Sequence, residues 1–310
     1  MKKILVTGGL GFIGSNFINY IYKKYDYEIF NVDALTYAAN LANINDEVQA
    51  SPRYNFVLSD INEYYGTKSL IQNNQINYVV NFAAESHVDN SINDSTPFIK
   101  TNINGTHNLL TLLHDCPSIE RYLQVSTDEV YGSLKEGDDP FTEQTPIQAN
   151  SPYSASKASA DLLCQSFYET FKYPILITRC SNNYGANQHE EKLIPLMIKK
   201  AKAGEKLPVY GDGRNIRDWI HVEDHCSGID VVLHNGKIGE VYNIGGKNEI
   251  RNIDIVKTIL RLLDKDENQI EYVKDRLGHD WRYAINNSKI QNELGWQPLI
   301  NFKEGLNQLL

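Results

Sequence analysis

No run of apolar residues in this chain approaches the ~20 needed to cross a bilayer, and no surplus of Lys and Arg marks it for a polyanion. The 30 Lys and Arg residues are outnumbered by 39 Asp and Glu, a formal charge of −9. That balance argues against general nucleic-acid or membrane-surface binding, while leaving room for a local basic pocket for a phosphorylated ligand. Cysteine is sparse: Cys116, Cys164, Cys180 and Cys226 show no CxxC or metal-ligand spacing. They read as free, mostly buried thiols in a reducing cytoplasm, and no metal is expected. No internal repeat, low-complexity segment or signal-peptide pattern is seen. What remains is ordinary for a globular protein: 310 residues, 41% hydrophobic and 22% charged, enough to bury a sizeable core.

Apolar strand-like runs near Lys3–Thr7, Glu28–Val32, Tyr54–Leu58, Tyr78–Phe82, Tyr122–Ser126 and Ile175–Arg179 alternate with amphipathic stretches at Ile13–Lys24, Glu63–Asn73, Phe98–His114 and Pro152–Phe171. Continuous apolar strands separated by helices predict a parallel sheet covered on both faces. Beyond about residue 181 the pattern shifts to loops marked by Gly, Asn and Pro, with helices expected at Leu193–Ala203, Val222–Leu233, Asn252–Leu263 and Ser288–Leu294. The expected fold is α/β: a Rossmann-type doubly wound parallel sheet over residues 1–180 and a smaller α/β substrate-binding lobe over 181–310, interleaved with it. Gly132–Pro146 reads as a mobile loop.

Gly8-Gly-Leu-Gly11-Phe12-Ile13-Gly14 falls between the first strand and the first helix. Gly8 permits the tight turn, Gly11 lets the backbone approach a pyrophosphate, and Gly14 allows close helix–strand packing. Asp33 closes the second strand, 19 residues past Gly14. A carboxylate there accepts from a ribose diol and repels a 2′-phosphate, which favours NAD over NADP. Asp60-Ile61, after the third strand, is placed to meet the adenine, although Asp60 could also be a simple helix N-cap.

Tyr153 and Lys157, four apart, share one face of a helix. An ammonium near the phenol is expected to lower its pKa, so that Tyr153 acts as a base near neutral pH. Thr127 ends the fifth strand and can hydrogen-bond a substrate hydroxyl. A lone Tyr-x-x-x-Lys would read as a surface helix pair, but here a strand-terminal Ser126-Thr127 comes 26 residues before Tyr153, with a dinucleotide turn further upstream. Asp128 and Glu129 follow at the carboxyl edge of that strand, where open α/β sheets bind ligands. Two carboxylates there can divide labour as acid and base. Oxidation at a carbinol carbon followed by loss of water is the chemistry that uses all five residues.

These motifs closely resemble those of the dTDP-glucose 4,6-dehydratases, in the extended short-chain dehydrogenase/reductase superfamily, over essentially the whole chain. The matching segments are Thr7–Gly14, Val32–Ala38, Ala83–Asp89, Ser126–Gly132, Tyr153–Lys157, Arg179–Gly185, Glu191–Pro195, Arg217–Trp219 and Asp275–Asp280. The resemblance implies NAD, tightly held and recycled at each turnover, with Ala83 beside it. It implies Tyr153, Thr127 and Lys157 for C4 oxidation, Glu129 as the base at C5 and Asp128 as the acid at the C6 hydroxyl. It places Ser86 and His87 near the sugar and Asn183, Arg217 and Arg276 at the phosphates. Lys192, Leu193 and Tyr210 resemble base and phosphate contacts, with Asn252 and His279 also in the substrate set. Trp281 and Arg282 could equally be packing residues. A homodimer through the Phe98–His114 and Pro152–Phe171 helices is also implied.

The chain departs from the pattern at Asn90, where Arg is usual, and at Ala186–Glu190, which replaces a Pro-Tyr-Gln-Phe-Pro-like run. Both put the nucleotide or sugar in question rather than the reaction, so a 4,6-dehydratase of another nucleotide sugar stays open. A 4-epimerase would use Tyr153, Lys157 and NAD but has no use for Asp128 and Glu129. A cofactor-sensing protein with a dead site would not keep the whole catalytic set.

Overall fold

The computed structural model describes residues 1–275 and 278–310; the Arg276 expectation therefore lies outside the described residues. Among the described residues twelve strands form in chain order: β1 Lys3–Thr7, β2 Glu28–Asp33, β3 Tyr54–Leu58, β4 Tyr78–Asn81, β5 Arg121–Thr127, β6 Ile175–Cys180, β7 Asn182–Tyr184, β8 Leu207–Tyr210, β9 Ile216–His221, β10 Val241–Ile244, β11 Glu249–Arg251 and β12 Ile270–Val273. The main sheet runs β10-β6-β5-β4-β1-β2-β3, and every neighbouring pair in it is parallel. The strand order reverses between β1 and β4. The crevice this opens at the carboxyl ends is where such sheets bind ligands.

Both faces of the sheet are covered. On one, Phe17, Ile18 and Ile21 of helix Phe12–Lys24 pack with Ile229, Val232 and Leu233 of helix Val222–Asn235 against Ile4, Val6 and Leu123 of the strands. On the other, Leu109, Leu110 and Leu113 and the Cys164 thiol pack against Leu5, Val79 and Ile177. All four cysteines are free and buried. The later helices fold with β8, β9 and β12 around a third core that includes Met197, Trp219, Ile255, Ile259 and Phe302.

The seventh strand of the main sheet, β10, comes from the C-terminal part and pairs Val241–Ile244 with Ile177–Cys180, so the two parts of the chain interleave. The segment read as a mobile loop carries two backbone anchors. The Leu134 amide donates to the Arg282 carbonyl at 3.0 Å and that of Phe141 to the Ala284 carbonyl at 2.9 Å. Leu134 and Phe141 are buried with Tyr131, Tyr283 and Ile285. Arg282 is a packing residue: it pairs with Glu249 at 2.6 Å and donates to the Asp138 carbonyl at 2.7 Å.

Candidate active site

The glycine turn closes the base of the crevice. Gly8 has φ 67°, and a Cβ there would lie 2.7 Å from the Ala83 amide nitrogen. At Gly14 a Cβ would lie 2.4 Å from the Gly8 carbonyl oxygen. At Gly11, by contrast, a Cβ would meet only that same oxygen, at 3.4 Å, so the turn leaves room on the crevice side. Gly11 also caps helix Phe12–Lys24 without any side-chain hydrogen bond, and the first turn carries no acidic residue. The free amides of that turn suit an anion. Asp33 Oδ2 accepts from the Leu10 amide and Oδ1 from the Leu35 amide, both at 2.9 Å. Burial pushes its carboxyl up, opposed by those two bonds. The carboxylate is thus fixed at the end of β2 with lone pairs to spare for a diol. Asp60 accepts twice from Asn62, through Nδ2 at 2.8 Å and the backbone amide at 2.9 Å. It is not the cap of the following helix, which starts after Glu63. These donors, the space at Gly11 and the buried carboxylate fit a dinucleotide.

One crevice brings together Gly8, Gly11, Phe12, Ile13, Gly14, Asp33, Asp60, Ile61 and Ala83 with Thr127, Asp128, Glu129, Tyr153 and Lys157, and with Ser86, Asn183 and Lys192. Thr127 ends β5, and its hydroxyl accepts from the Glu129 amide at 3.3 Å, starting the short turn Asp128–Tyr131. Pro152 and a Ser151–Ser154 capping box start the helix Pro152–Phe171 and set Tyr153 in its first turn.

The two carboxylates differ in burial. Asp128 is 1% exposed. Burial, then the charges of Glu129 and Asp218, push its carboxyl well above the usual range, against Arg217 and the Thr127 hydroxyl. Its Oδ2 is buried without a hydrogen-bond partner, as suits a group that would hold a proton for something not part of the chain. Glu129 is half-buried. A folded carboxyl held above its unfolded value of ~3.9 binds more protons native than unfolded. Stability is then fully present below about pH 4 and is lost as pH rises through the folded pKa. An Asp128→Asn protein should therefore gain stability over wild type as pH rises from about 4, by about 1.4 kcal/mol per unit of elevation. Denaturant midpoints of both proteins across a pH series would show it, and a gap that closes with rising pH would refute it.

The expected lowering of the Tyr153 phenol is not found. Burial, then Glu129, Cys180 and Asp128, push it well up, and only the Thr127 hydroxyl opposes them. Lys157 directs its Nζ to the Val125 carbonyl at 2.7 Å, and burial lowers its own pKa.

The remaining substrate expectations fall outside this crevice lining. His87 lies beside it, its Nε2 3.8 Å from Glu191. Leu193 opens the helix Leu193–Ala203. Tyr210, Arg217, Asn252 and His279 gather in the smaller lobe. Arg217 donates to the Asp280 carbonyl at 2.9 Å and stacks over Tyr283. Asn215 joins the Asn252 amide at 3.0 Å to the Asp280 carbonyl at 3.1 Å, and the Tyr210 ring meets that of His279 edge-on.

Sequence reasoning missed Asn102. It sits in a π turn, Ile99–Gly105, inside the stretch read as one helix, and such turns gather at functional sites. Its side chain accepts from the Glu85 amide at 2.8 Å and donates to the Glu85 carbonyl at 3.0 Å and the Ser156 hydroxyl at 2.8 Å. It thereby ties the segment after β4 to the Tyr153 helix. The available signal was Asn102 and Gly105, three apart on one face of an amphipathic helical pattern. Glu85, Asn182 and Glu191, which lie inside the matching segments without having been singled out, also line the crevice, as do Gln188 and His189 of the divergent run.

This fold and crevice define an NAD-dependent enzyme of the short-chain dehydrogenase/reductase class. The sequence pattern of the GDP-mannose 4,6 dehydratase family matches residues 5–309, and the chain belongs to that family. It is 50% identical over 303 residues, 98% of this chain and 96% of the other, to the low-salt glycan biosynthesis protein Agl12 of Haloferax volcanii. It is 49% identical to a dTDP-glucose 4,6-dehydratase of Xanthomonas campestris, covering 99% of this chain and 91% of that one. The crystal structure of the Bacillus anthracis dTDP-glucose 4,6-dehydratase in complex with NAD superposes with a TM-score of 0.93 at 51% identity, covering 99% and 95% of the two chains. A UDP-glucuronic acid 4-epimerase from Bacillus cereus shares the fold (TM-score 0.92; 98% and 96% covered) at 28% identity.

Proposed function

We propose that this chain dehydrates a nucleotide hexose, dTDP-glucose, to the 4-keto-6-deoxy product. The observation that carries this reading is the pair Asp128–Glu129: one carboxyl buried and held toward its protonated form, the other half-buried, in one crevice with Thr127 and Tyr153. Bound NAD would supply a reversible acceptor for the C4 hydride and donor for C6. Burial and the neighbouring carboxylates hold the Tyr153 phenol up in the chain alone; the positive charge that bound NAD would bring beside it would draw the phenol down, so that Tyr153 takes the C4 hydroxyl proton while Thr127 hydrogen-bonds the same oxygen. Lys157, anchored on the Val125 carbonyl, positions the cofactor side of the crevice. The 4-ketone acidifies C5–H, and Glu129 accepts that proton. Asp128 delivers its proton to the C6 oxygen, so the hydroxyl leaves as water. Glu129 and Asp128 thus remove the elements of one water between them, a step an epimerase does not have. Once the hydride has returned to C6, Glu129 gives its proton back to C5, and the proton held by Tyr153 restores Asp128 through solvent.

In the same reading Ser86 and His87 face the sugar, while Asn183, Lys192, Leu193, Tyr210, Arg217, Asn252 and His279 receive the nucleotide diphosphate across the two lobes. Exposed Ile99, Leu162 and Phe171 support a homodimer through the two long helical segments. The four free thiols support a reducing, cytoplasmic setting. The experiment is incubation of the purified protein with dTDP-glucose, UDP-glucose and GDP-mannose in turn, each followed by mass spectrometry. Loss of one water from dTDP-glucose alone is expected. Loss from another donor would keep the reaction and overturn the substrate, and a change of stereochemistry without loss of mass would favour the epimerase.

A further inference from the structure

The segment after β7 makes several polar contacts with the cofactor half of the molecule, beside those of Gln188 with the Asn183 carbonyl at 2.9 Å and of Glu190 with Lys199 at 2.6 Å. Asn16, in the first helical turn after the glycine loop, donates its Nδ2 to the Ala186 carbonyl at 2.8 Å. Asn187 reaches the same element from the other side, its Nδ2 3.2 Å from the Ser15 hydroxyl and 3.1 Å from the Asn43 carbonyl. Tyr37, in the loop that follows Asp33, directs its hydroxyl to Glu191 at 3.4 Å, and its ring meets His189 edge-on. Between these anchors Gln188 and His189 line the crevice beside Gly11, Gly14 and Thr36. The Gln188 Oε1 is buried there without a partner, an acceptor free for a ribose hydroxyl. Asn187 holds φ 67°, a left-handed conformation that costs a non-glycine residue on the order of 1 kcal/mol and concentrates where function demands it.

We propose that residues 186–191 form a strap that retains the cofactor, pinned to the glycine-loop helix by Asn16 and Asn187 and to the β2 loop by Tyr37 and Glu191. The departure at Ala186–Glu190 then governs how long NAD stays bound, not which nucleotide base is accepted. Each anchor is a partly exposed hydrogen bond worth little alone, but they act together on one segment. A dinucleotide beneath it leaves only when several release at once. This rests on the NAD-binding reading above.

The test is the exchange of bound NAD for isotopically labelled NAD in the holoenzyme, for wild type, the double variant Asn16→Ala/Asn187→Gly, and Tyr37→Phe. Glycine keeps access to the left-handed backbone and removes the whole side chain with its amide. Roughly tenfold faster exchange is expected in the double variant and a smaller increase in Tyr37→Phe, with the ratio of dTDP-glucose to UDP-glucose turnover unchanged. Exchange at the wild-type rate in both variants overturns the strap, as does a shift in donor ratio without faster exchange. Wild-type protein that retains no NAD would instead overturn the cofactor reading itself, so the two failures are distinguishable.

Discussion

A Glu129→Gln protein should lose dehydration by roughly 10²–10⁴-fold, the usual contribution of a positioned acid or base, and should also stop exchanging the C5 hydrogen with deuterated solvent. Glutamine keeps the size of the side chain but cannot accept that proton. Asp128→Asn should behave differently: water loss falls by a similar factor while C5 exchange continues, because the base is intact and only delivery of a proton to the leaving oxygen has gone. Mass spectrometry of product and recovered substrate in deuterium oxide reads both. Wild-type exchange in Glu129→Gln would remove Glu129 from the base role. Loss of exchange in Asp128→Asn would mean that the two residues act as one coupled unit. The split is expected because their surroundings differ: Asp128 is buried within the field of Glu129, Asp218 and Arg217, and Glu129 retains partial contact with solvent.

The largest stability effect is expected about two turns beyond Tyr153 on the same helix. Asp161 and Arg179 form an ion pair, Nε to Oδ2 at 2.8 Å, with side chains 0% and 2% exposed. The guanidinium also lies over the Tyr131 ring at 4.7 Å. Removing one partner leaves an uncompensated buried charge, so Asp161→Ala should cost about 3–5 kcal/mol. For a chain of this size that is a fall in Tm on the order of 10 °C. Replacing both by apolar residues of similar volume, Asp161→Leu with Arg179→Met, should recover most of it. Differential scanning calorimetry of the three proteins decides the matter. A single variant within about 1 kcal/mol of wild type would show that the site is wet enough to screen the charge.

Much of this architecture was legible because it is local. Continuous apolar runs marked the first six strands of the sheet to within a residue or two, and Pro152–Phe171 and Leu193–Ala203 matched their helices end to end. The crevice was legible for a related reason: its glycine turn, Asp33, Thr127–Glu129 and Tyr153 each sit at a strand end or in a helix's first turn, where sequence order and position in space coincide. What could not be read depends on long-range pairing. Val241–Ile244 is too short to announce which sheet it joins. Asn102 acts through a local widening of its helix that no periodicity encodes. The raised Tyr153 phenol follows from a burial that a Tyr–Lys spacing cannot report. The Ala186–Glu190 departure was placed by resemblance beside the nucleotide pocket, and its contacts with Ser15, Asn16 and Asn43 could not be read from sequence order.

The position of β10 has a bearing on how the chain comes off the ribosome. The sheet is one strand short until residues 241–244 have emerged, and until then β6 presents an unpaired edge built of buried residues. Open edges of that kind recruit other chains. A fragment ending near residue 180 would keep that edge for good, so it should aggregate rather than bind NAD. The interval in which a nascent chain most needs shielding therefore closes late, once the first three-quarters of the molecule has been made.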